Sequence, residues 1–170
     1  MARYAALLRA VNVGGTGKLP MADLKRMAEE LGFEAVGTYI ASGNLVFRSE
    51  SGESAVRKAL EEKLEAYAGK RVAVHVRTAE ELAALLKRNP FPDRPPNRVV
   101  VMLIESAPPA DTLERVTGQA EEEIALGERE IFVHYGEGQA DSRLRIPAAS
   151  DGTGRNMNTI AKLAELTAKL

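Results

Sequence analysis

A glycine-rich segment near the amino end carries side chains and backbone suited to binding an anion. Arg9 and Asn12 interrupt the apolar run LLRAVNVGG, and Gly14, Gly15 and Lys18 follow. Glycines let backbone N–H groups converge on a ligand, and the lysine adds a counter-charge. The segment therefore predicts an anion site, while a plain strand-to-helix turn is the alternative interpretation.

Arg9 has a structural alternative of its own. We expect its side chain to be largely buried, because Leu7 and Val11 on either side of it are apolar. A guanidinium in a covered sheet needs carbonyl acceptors or a carboxylate partner. Arg9 is thus a candidate both for ligand binding and for tying the fold together.

Two further polar segments are candidates. Ser42, Gly43 and Asn44 form a tight-turn sequence between two apolar runs, and this turn needs no ligand to explain it. The other segment is the start of the last helix, where a polar loop leads directly into an amphipathic stretch. Free N–H groups and the helix dipole attract anions at such a terminus, and ordinary capping is the alternative. Its candidate residues are Arg155, Asn156, Asn158 and Thr159.

Other kinds of site find little support. The 170 residues include no cysteine and only two histidines, His75 and His134, so neither a thiolate nor a histidine-rich metal site is predicted. Nucleophile-elbow, zinc-protease and Walker motifs are absent, and the paired glutamates fall on polar helix faces. The sequence predicts no metal and no cofactor, and it does not indicate a catalytic residue.

Charge restricts the partners. The net charge of −1 and a pI near 6.2 make a nucleic-acid partner unlikely. Residues 1–22 hold three cations and no acid, whereas residues 78–138 hold six Lys or Arg and twelve Asp or Glu. Residues 139–170 hold five Lys or Arg and three Asp or Glu. We expect these two basic ends, residues 1–22 and 139–170, to converge, placing the glycine-rich segment near the last helix. No apolar run of membrane-spanning length and no secretory signal is present, so a cytoplasmic protein without a membrane partner is expected.

The elements that must position these residues follow from periodicity. An apolar strand from residue 3, a helix opened by Leu19-Pro20, a hairpin around residue 43, a second helix and a further strand give the order β-α-β-β-α-β. Thr78 and Glu81 predict a capping box for a third helix, and the proline-rich residues 90–97 predict an irregular connector.

The second half repeats part of this order. We predict a strand at 98–104, a short helix from Pro108-Pro109 to Val116, a hairpin around Gly127, a loop at 136–155 and a closing helix. The expected fold is α+β, with two ferredoxin-like (split βαβ) halves that have antiparallel or mixed sheets and form one compact body. The expected domains are residues 1–77 and residues 78–170, the second including the connector and the closing helix.

At these motifs the chain resembles the bacterial family known as domain of unknown function 1697. The resemblance implies an intracellular α+β protein of two ferredoxin-like halves and no established activity. The polar motif residues that it carries over are the candidates named above. Ala10 stands where the family usually has Gly, and Met157 where it usually has Trp. The matching blocks are LLRAVNVGG, LPMADL, LGFEAVGTYIASGNLVF, RNPF and GRNMNTIAKLAEL.

The leading functional hypothesis is the binding of an anionic small molecule, such as a phosphorylated metabolite or nucleotide, in a cleft between the halves. Whether the protein is also an enzyme stays open, and electrostatic stabilisation of a transferred oxygen is the only chemistry that the residues suggest. The first alternative is a non-catalytic protein-interaction or homodimerisation module. The second is an oligonucleotide binder.

Overall fold

A computed structural model of the chain describes residues 1–11, 18–137 and 139–170. This part has an α+β fold with two four-stranded antiparallel sheets and four α-helices. The strands are β1 (Ala2–Leu8), β2 (Glu34–Thr38), β3 (Asn44–Ser49), β4 (Val74–Thr78), β5 (Val99–Leu103), β6 (Glu123–Leu126), β7 (Glu130–His134) and β8 (Thr153–Asn156). The helices are α1 (Met21–Glu30), α2 (Glu53–Ala68), α3 (Ala79–Lys87) and α4 (Met157–Ala168).

The chain divides into two compact units. The first unit contains Met1–Ala83 and Lys162–Leu170, and the second contains Ala84–Ala161. The boundaries therefore fall within α3 and within α4. None of the helices in the described ranges has the length and apolarity needed to cross a lipid bilayer.

The first unit contains a sheet with the strand order β2-β3-β1-β4. Helices α1 and α2 cover one face of this sheet because each buries an apolar stripe, represented by Leu24 on α1 and Leu60 on α2, which are both fully buried. Phe47 of β3 lies in the same core and stacks on Phe33 with ring centroids 4.4 Å apart. Burial on one face thus fixes the register of the sheet.

The second unit contains a sheet with the corresponding order β6-β7-β5-β8. Ile131 and Val133 on one face pack against residues 144–149, which we call the covering segment. This segment has no α-helix; a pair of backbone hydrogen bonds between Thr117 and Arg145, of 2.8 and 3.1 Å, holds it in place. A loop here does the covering that two helices do in the first unit.

The structure confirms the predicted α+β class, the antiparallel sheets, the hairpin of β2 and β3, and the irregular connector at 90–97. The predicted capping box is also present: Thr78 N donates to Glu81 Oε1 at 3.0 Å, and Glu81 N donates to Thr78 Oγ1 at 3.1 Å.

Two predictions for the second half are wrong. Residues 108–116 form no α-helix but only a 3₁₀ turn at Leu113–Arg115, because two prolines and few apolar residues give the segment no stripe to bury. Residues 136–155, predicted to form a loop, include most of β8. β8 pairs with β5 through its backbone, with Arg155 opposite Val101. The second half therefore lacks the predicted β-α-β-β-α order.

Candidate functional site

A cavity of about 230 Å³ lies beside the end of β1 in the first unit. Four parts of the chain form it: the residues after β1, the residues leading into α1, the last turn of α2, and the connection from α2 to β4. Its lining residues are Ala10, Val11, Lys18, Leu19, Leu64, Tyr67, Ala68, Lys70 and Val72.

The walls of the cavity are apolar and well packed. Val11, Leu19, Leu64 and Val72 line it, and each has no more than 7% of its surface exposed. Leu64 belongs to the buried stripe of α2, and Leu19 precedes Pro20, the residue that caps α1. Such walls favour a ligand with an apolar body, because burying that body removes apolar surface from water.

Two lysines are the only charged residues that line this cavity within the described part of the chain. Lys18 and Lys70 are both exposed. Lys70 reaches the site because Gly69 ends α2 in the left-handed conformation, with φ 72°, and turns the chain. The cavity therefore combines apolar walls with two positive charges and no negative charge.

A tyrosine hydroxyl adds a polar group to the lining. Tyr67 on the last turn of α2 donates a hydrogen bond from its hydroxyl to Asp23 Oδ2 on α1, at 2.8 Å. This hydrogen bond to the Asp23 carboxylate raises the pKa of Tyr67 above its usual value. Asp23 is also paired with Arg26, at 3.1 Å. The contact links the two helices at the cavity.

The expectation that Arg9 is buried is wrong. β1 ends at Leu8, and Arg9 is exposed one residue later, where its backbone N donates to Ala73 O at 3.0 Å. The prediction relied on the apolar neighbours Leu7 and Val11, but β1 ends before Arg9, so the burial of the strand does not extend to this side chain. Ala10 follows with φ 54°, a conformation that glycine adopts more easily than alanine.

The turn of Ser42, Gly43 and Asn44 has a structural explanation. Asn44 is fully buried, and its Nδ2 donates to Tyr39 O at 2.9 Å and to Ser42 Oγ at 3.0 Å. Gly43 has φ 92°, and a Cβ atom placed on it would lie 2.6 Å from Val11 Cγ2. The turn therefore packs against a wall of the cavity and supports it from behind.

The predicted site residues at the start of α4 are not among those that line the cavity. Arg155 is buried in β8; its Nη1 donates to Thr153 Oγ1 at 2.7 Å and to Gly154 O at 2.9 Å. Burial lowers the pKa of Arg155 to about 10, so it stays charged at neutral pH. Asn156 Oδ1 accepts from Thr159 N at 3.0 Å and caps α4, whereas Asn158 is exposed.

Of the predicted site residues, the structure thus brings Lys18 to the cavity and the 42–44 turn to its wall. Asn12, Gly14 and Gly15 lie outside the described residues. Tyr67 and Lys70 were not among the predicted residues, because the tyrosine fits the apolar stripe of α2 and a lysine after a helix-ending glycine is an ordinary surface residue. Over the ranges that the structure describes, no group of three or more His, Cys, Asp or Glu side chains could hold a metal ion.

Comparisons with known proteins agree on the fold and give no activity. A family model described as "Protein of unknown function (DUF1697)" matches residues 1–132. Among solved structures, a conserved bacterial protein, SP0830 from Streptococcus pneumoniae, is similar at a TM-score of 0.81 and 26% identity, over 98% of each chain. No curated protein matches the chain.

Proposed function

The chain belongs to the DUF1697 family, and we propose that it binds a small organic anion in the cavity beside β1. The observation that carries this proposal is the lining itself, in which Lys18 and Lys70 stand over apolar walls with no carboxylate among them. Two positively charged residues that line one cavity attract an anion. The walls require that the anion also have an apolar part.

The volume of the cavity restricts the ligand further. A protein cavity of about 150 Å³ can hold one benzene ring, and this one measures about 230 Å³. The best fit is therefore a single ring or short chain that carries one carboxylate or phosphate. A phosphorylated metabolite of that size meets both requirements, whereas most of a whole nucleotide would lie outside the walls.

The test uses phenyl phosphate and benzoate as probes and benzyl alcohol as their uncharged analogue. Calorimetry should detect binding of the two anions, and each should raise the melting temperature more than the alcohol does. At a hundred times its dissociation constant, a ligand adds about 2.7 kcal/mol to the free energy of unfolding. Equal effects of the anions and the alcohol would contradict the proposal.

Variants then assign the binding to the two lysines. Lys18→Met and Lys70→Met should each weaken binding of phenyl phosphate by about tenfold, which corresponds to ~1.4 kcal/mol. Lys25→Met is the matched control, because Lys25 is an exposed lysine of α1 that does not line the cavity. A loss in the control equal to that in the two variants would show that net charge, and not this site, governs binding.

Three finer features belong to the same proposal. We infer ferredoxin-like halves from the strand order β2-β3-β1-β4, which its counterpart β6-β7-β5-β8 repeats. The cytoplasmic location also stays a prediction from the sequence. A cleft between the halves, shared with the start of α4, stays a prediction from the sequence.

A further inference from the structure

A second candidate site in the first unit is built around an arginine. Arg48 on β3 is partly buried, and its Nε is the one buried side-chain nitrogen or oxygen among the described residues that has no hydrogen-bond partner. A guanidinium has five N–H donors, and leaving a buried one unsatisfied is unfavourable. The protein therefore offers Arg48 no acceptor where its side chain requires one.

The nearest cross-strand neighbours do not neutralise Arg48. The register places Arg3 of β1 directly opposite it, and like charges in that position repel each other. On the other side Glu34 of β2 is its register partner, yet no ion pair joins Glu34 to Arg48 in the described part of the chain. Glu34, the carboxylate opposite Arg48 in the register, therefore does not pair with it.

Arg3 is held in a defined orientation. Its Nη2 donates to Glu80 Oε1 at 2.9 Å, and its Nη1 donates to Ala168 O at 3.1 Å. A hydrogen bond from the backbone N–H of Glu80 and, after it, the hydrogen bond from Arg3 lower the pKa of the Glu80 carboxyl. Arg77, opposite Ala5 on the same face of the sheet, adds a buried positive charge. This face therefore presents three arginines, one of them without a partner.

We propose that Arg48, with Arg3 beside it, binds an oxyanion, either a carboxylate or a phosphate group. An oxyanion supplies several acceptors to a guanidinium, often through two parallel hydrogen bonds, and offsets the repulsion between the two arginines. The site is separate from the cavity beside β1. Arg3 and Leu8 lie near opposite ends of β1, on the order of 17 Å apart at ~3.3 Å per residue, and the cavity lies beyond Leu8.

The first experiment observes Arg48 directly in the unmodified protein. The Nε–Hε resonances of the arginines are followed by NMR while sodium phosphate or sodium acetate is added, with sodium chloride at equal ionic strength as reference. The Arg48 signal should shift and saturate with at least one oxyanion and stay in place with chloride. The anion that saturates at lower concentration identifies phosphate or carboxylate as the preferred group. An Arg48 signal that responds to neither oxyanion would overturn the proposal.

The second experiment separates binding from a structural role. Arg48→Met should raise the melting temperature in chloride, because it removes an unsatisfied donor and a repulsive charge, and it should abolish the additional stabilisation by the oxyanion. Arg143→Met, at an exposed arginine of the second unit, is the control and should retain that stabilisation. If Arg48→Met lowers the melting temperature and the oxyanion still stabilises it, Arg48 is structural.

Two more variants cover the remaining possibilities. Arg48→Lys keeps the charge but loses the planar fork and Nε, so the oxyanion should bind several-fold more weakly. Glu34→Gln removes the competing carboxylate and should strengthen binding. Weaker binding in Glu34→Gln would show that Glu34 helps to build the site or is itself the partner of Arg48, and would contradict the arrangement proposed here.

Discussion

The two sheets have the same strand order, but different kinds of element cover the corresponding faces. In the first unit, helices α1 and α2 cover the sheet face that carries Phe47. In the second unit, the corresponding face carries Val133, and the non-helical covering segment lies over it. A helical stripe supplies its own backbone hydrogen bonds, whereas a loop must obtain them from elsewhere, here from Thr117. The comparison shows that a sheet fixes which face must be buried but not which kind of element buries it.

The largest expected effect is in the helical layer. Leu60→Ala should lower the free energy of unfolding by about 2–5 kcal/mol, because it leaves a cavity among fully buried neighbours. Ile146→Ala in the covering segment should cost less than about 2 kcal/mol, since Ile146 is only partly buried. Chemical denaturation measures both values. A cost for Ile146→Ala equal to that for Leu60→Ala would mean that the loop layer is packed as firmly as the helices.

Two glycines with nearly the same backbone conformation, one in each unit, allow the two units to be compared further. Gly118 has φ 71°, and a Cβ atom there would overlap the backbone carbonyl oxygen of Arg143. Gly69 has φ 72° with open space around it. Gly118→Ala should therefore cost about 3 kcal/mol, and Gly69→Ala about 1 kcal/mol for the backbone alone. Similar unfolding free energies for the two variants would show that the approach of Gly118 to Arg143 is not needed to hold the covering segment.

The two strand-to-helix junctions should respond alike. Asn156→Ala removes the cap of α4 and Thr78→Ala removes one bond of the capping box of α3, and each should cost about 1 kcal/mol. Asn158→Ala is the control, because this exposed neighbour makes no capping bond, and it should change stability by less than ~0.5 kcal/mol. Urea titrations that find either cap neutral would show that the two junctions are not equivalent.

The smallest expected effect is a dependence of stability on pH that arises from Glu122 in the second unit. The hydroxyl of Ser142 and the backbone N–H of Ala120 donate to the Glu122 carboxylate and lower its pKa below 4.5. The unfolded state then binds more protons between the two pKa values, so stability falls as the pH drops below about 4.5. Ser142 directly precedes the covering segment, which should loosen in acid. Glu122→Gln should melt at a lower temperature at pH 7 and change less between pH 6 and pH 3; an unchanged acid response would contradict this assignment.

The sequence predicted the fold of the first unit better than that of the second. The first unit was read correctly where apolar residues recur at helical spacing, as in the stripe of Val56, Leu60 and Leu64. β8 was not predicted, because its sequence TGRN has no apolar alternation. Only its pairing with β5 identifies it as a strand. Periodicity reports side-chain burial, and it is silent where backbone pairing alone defines the element.

The candidate site shows a related limit. Lys18 was predicted because a glycine-rich segment precedes it, which is a local signal. Tyr67 and Lys70 join it only through the packing of α2 beside α1, and no local pattern distinguishes them from surface residues. Arg48 was not singled out, because its significance depends on Arg3 lying opposite it across two strands. Sites made by tertiary contact therefore leave the weakest trace in a single sequence.

The irregularity of β2 has a consequence for aggregation. β2 is an edge strand, and its pairing with β3 shifts register between Glu34 and Gly37, with Ala35 at φ 53°. A regular edge presents a row of open N–H and C=O groups to which a strand from another molecule can add, and a bulge interrupts that row. The kink at Ala35 thus protects this edge against the growth of a sheet from one molecule to the next.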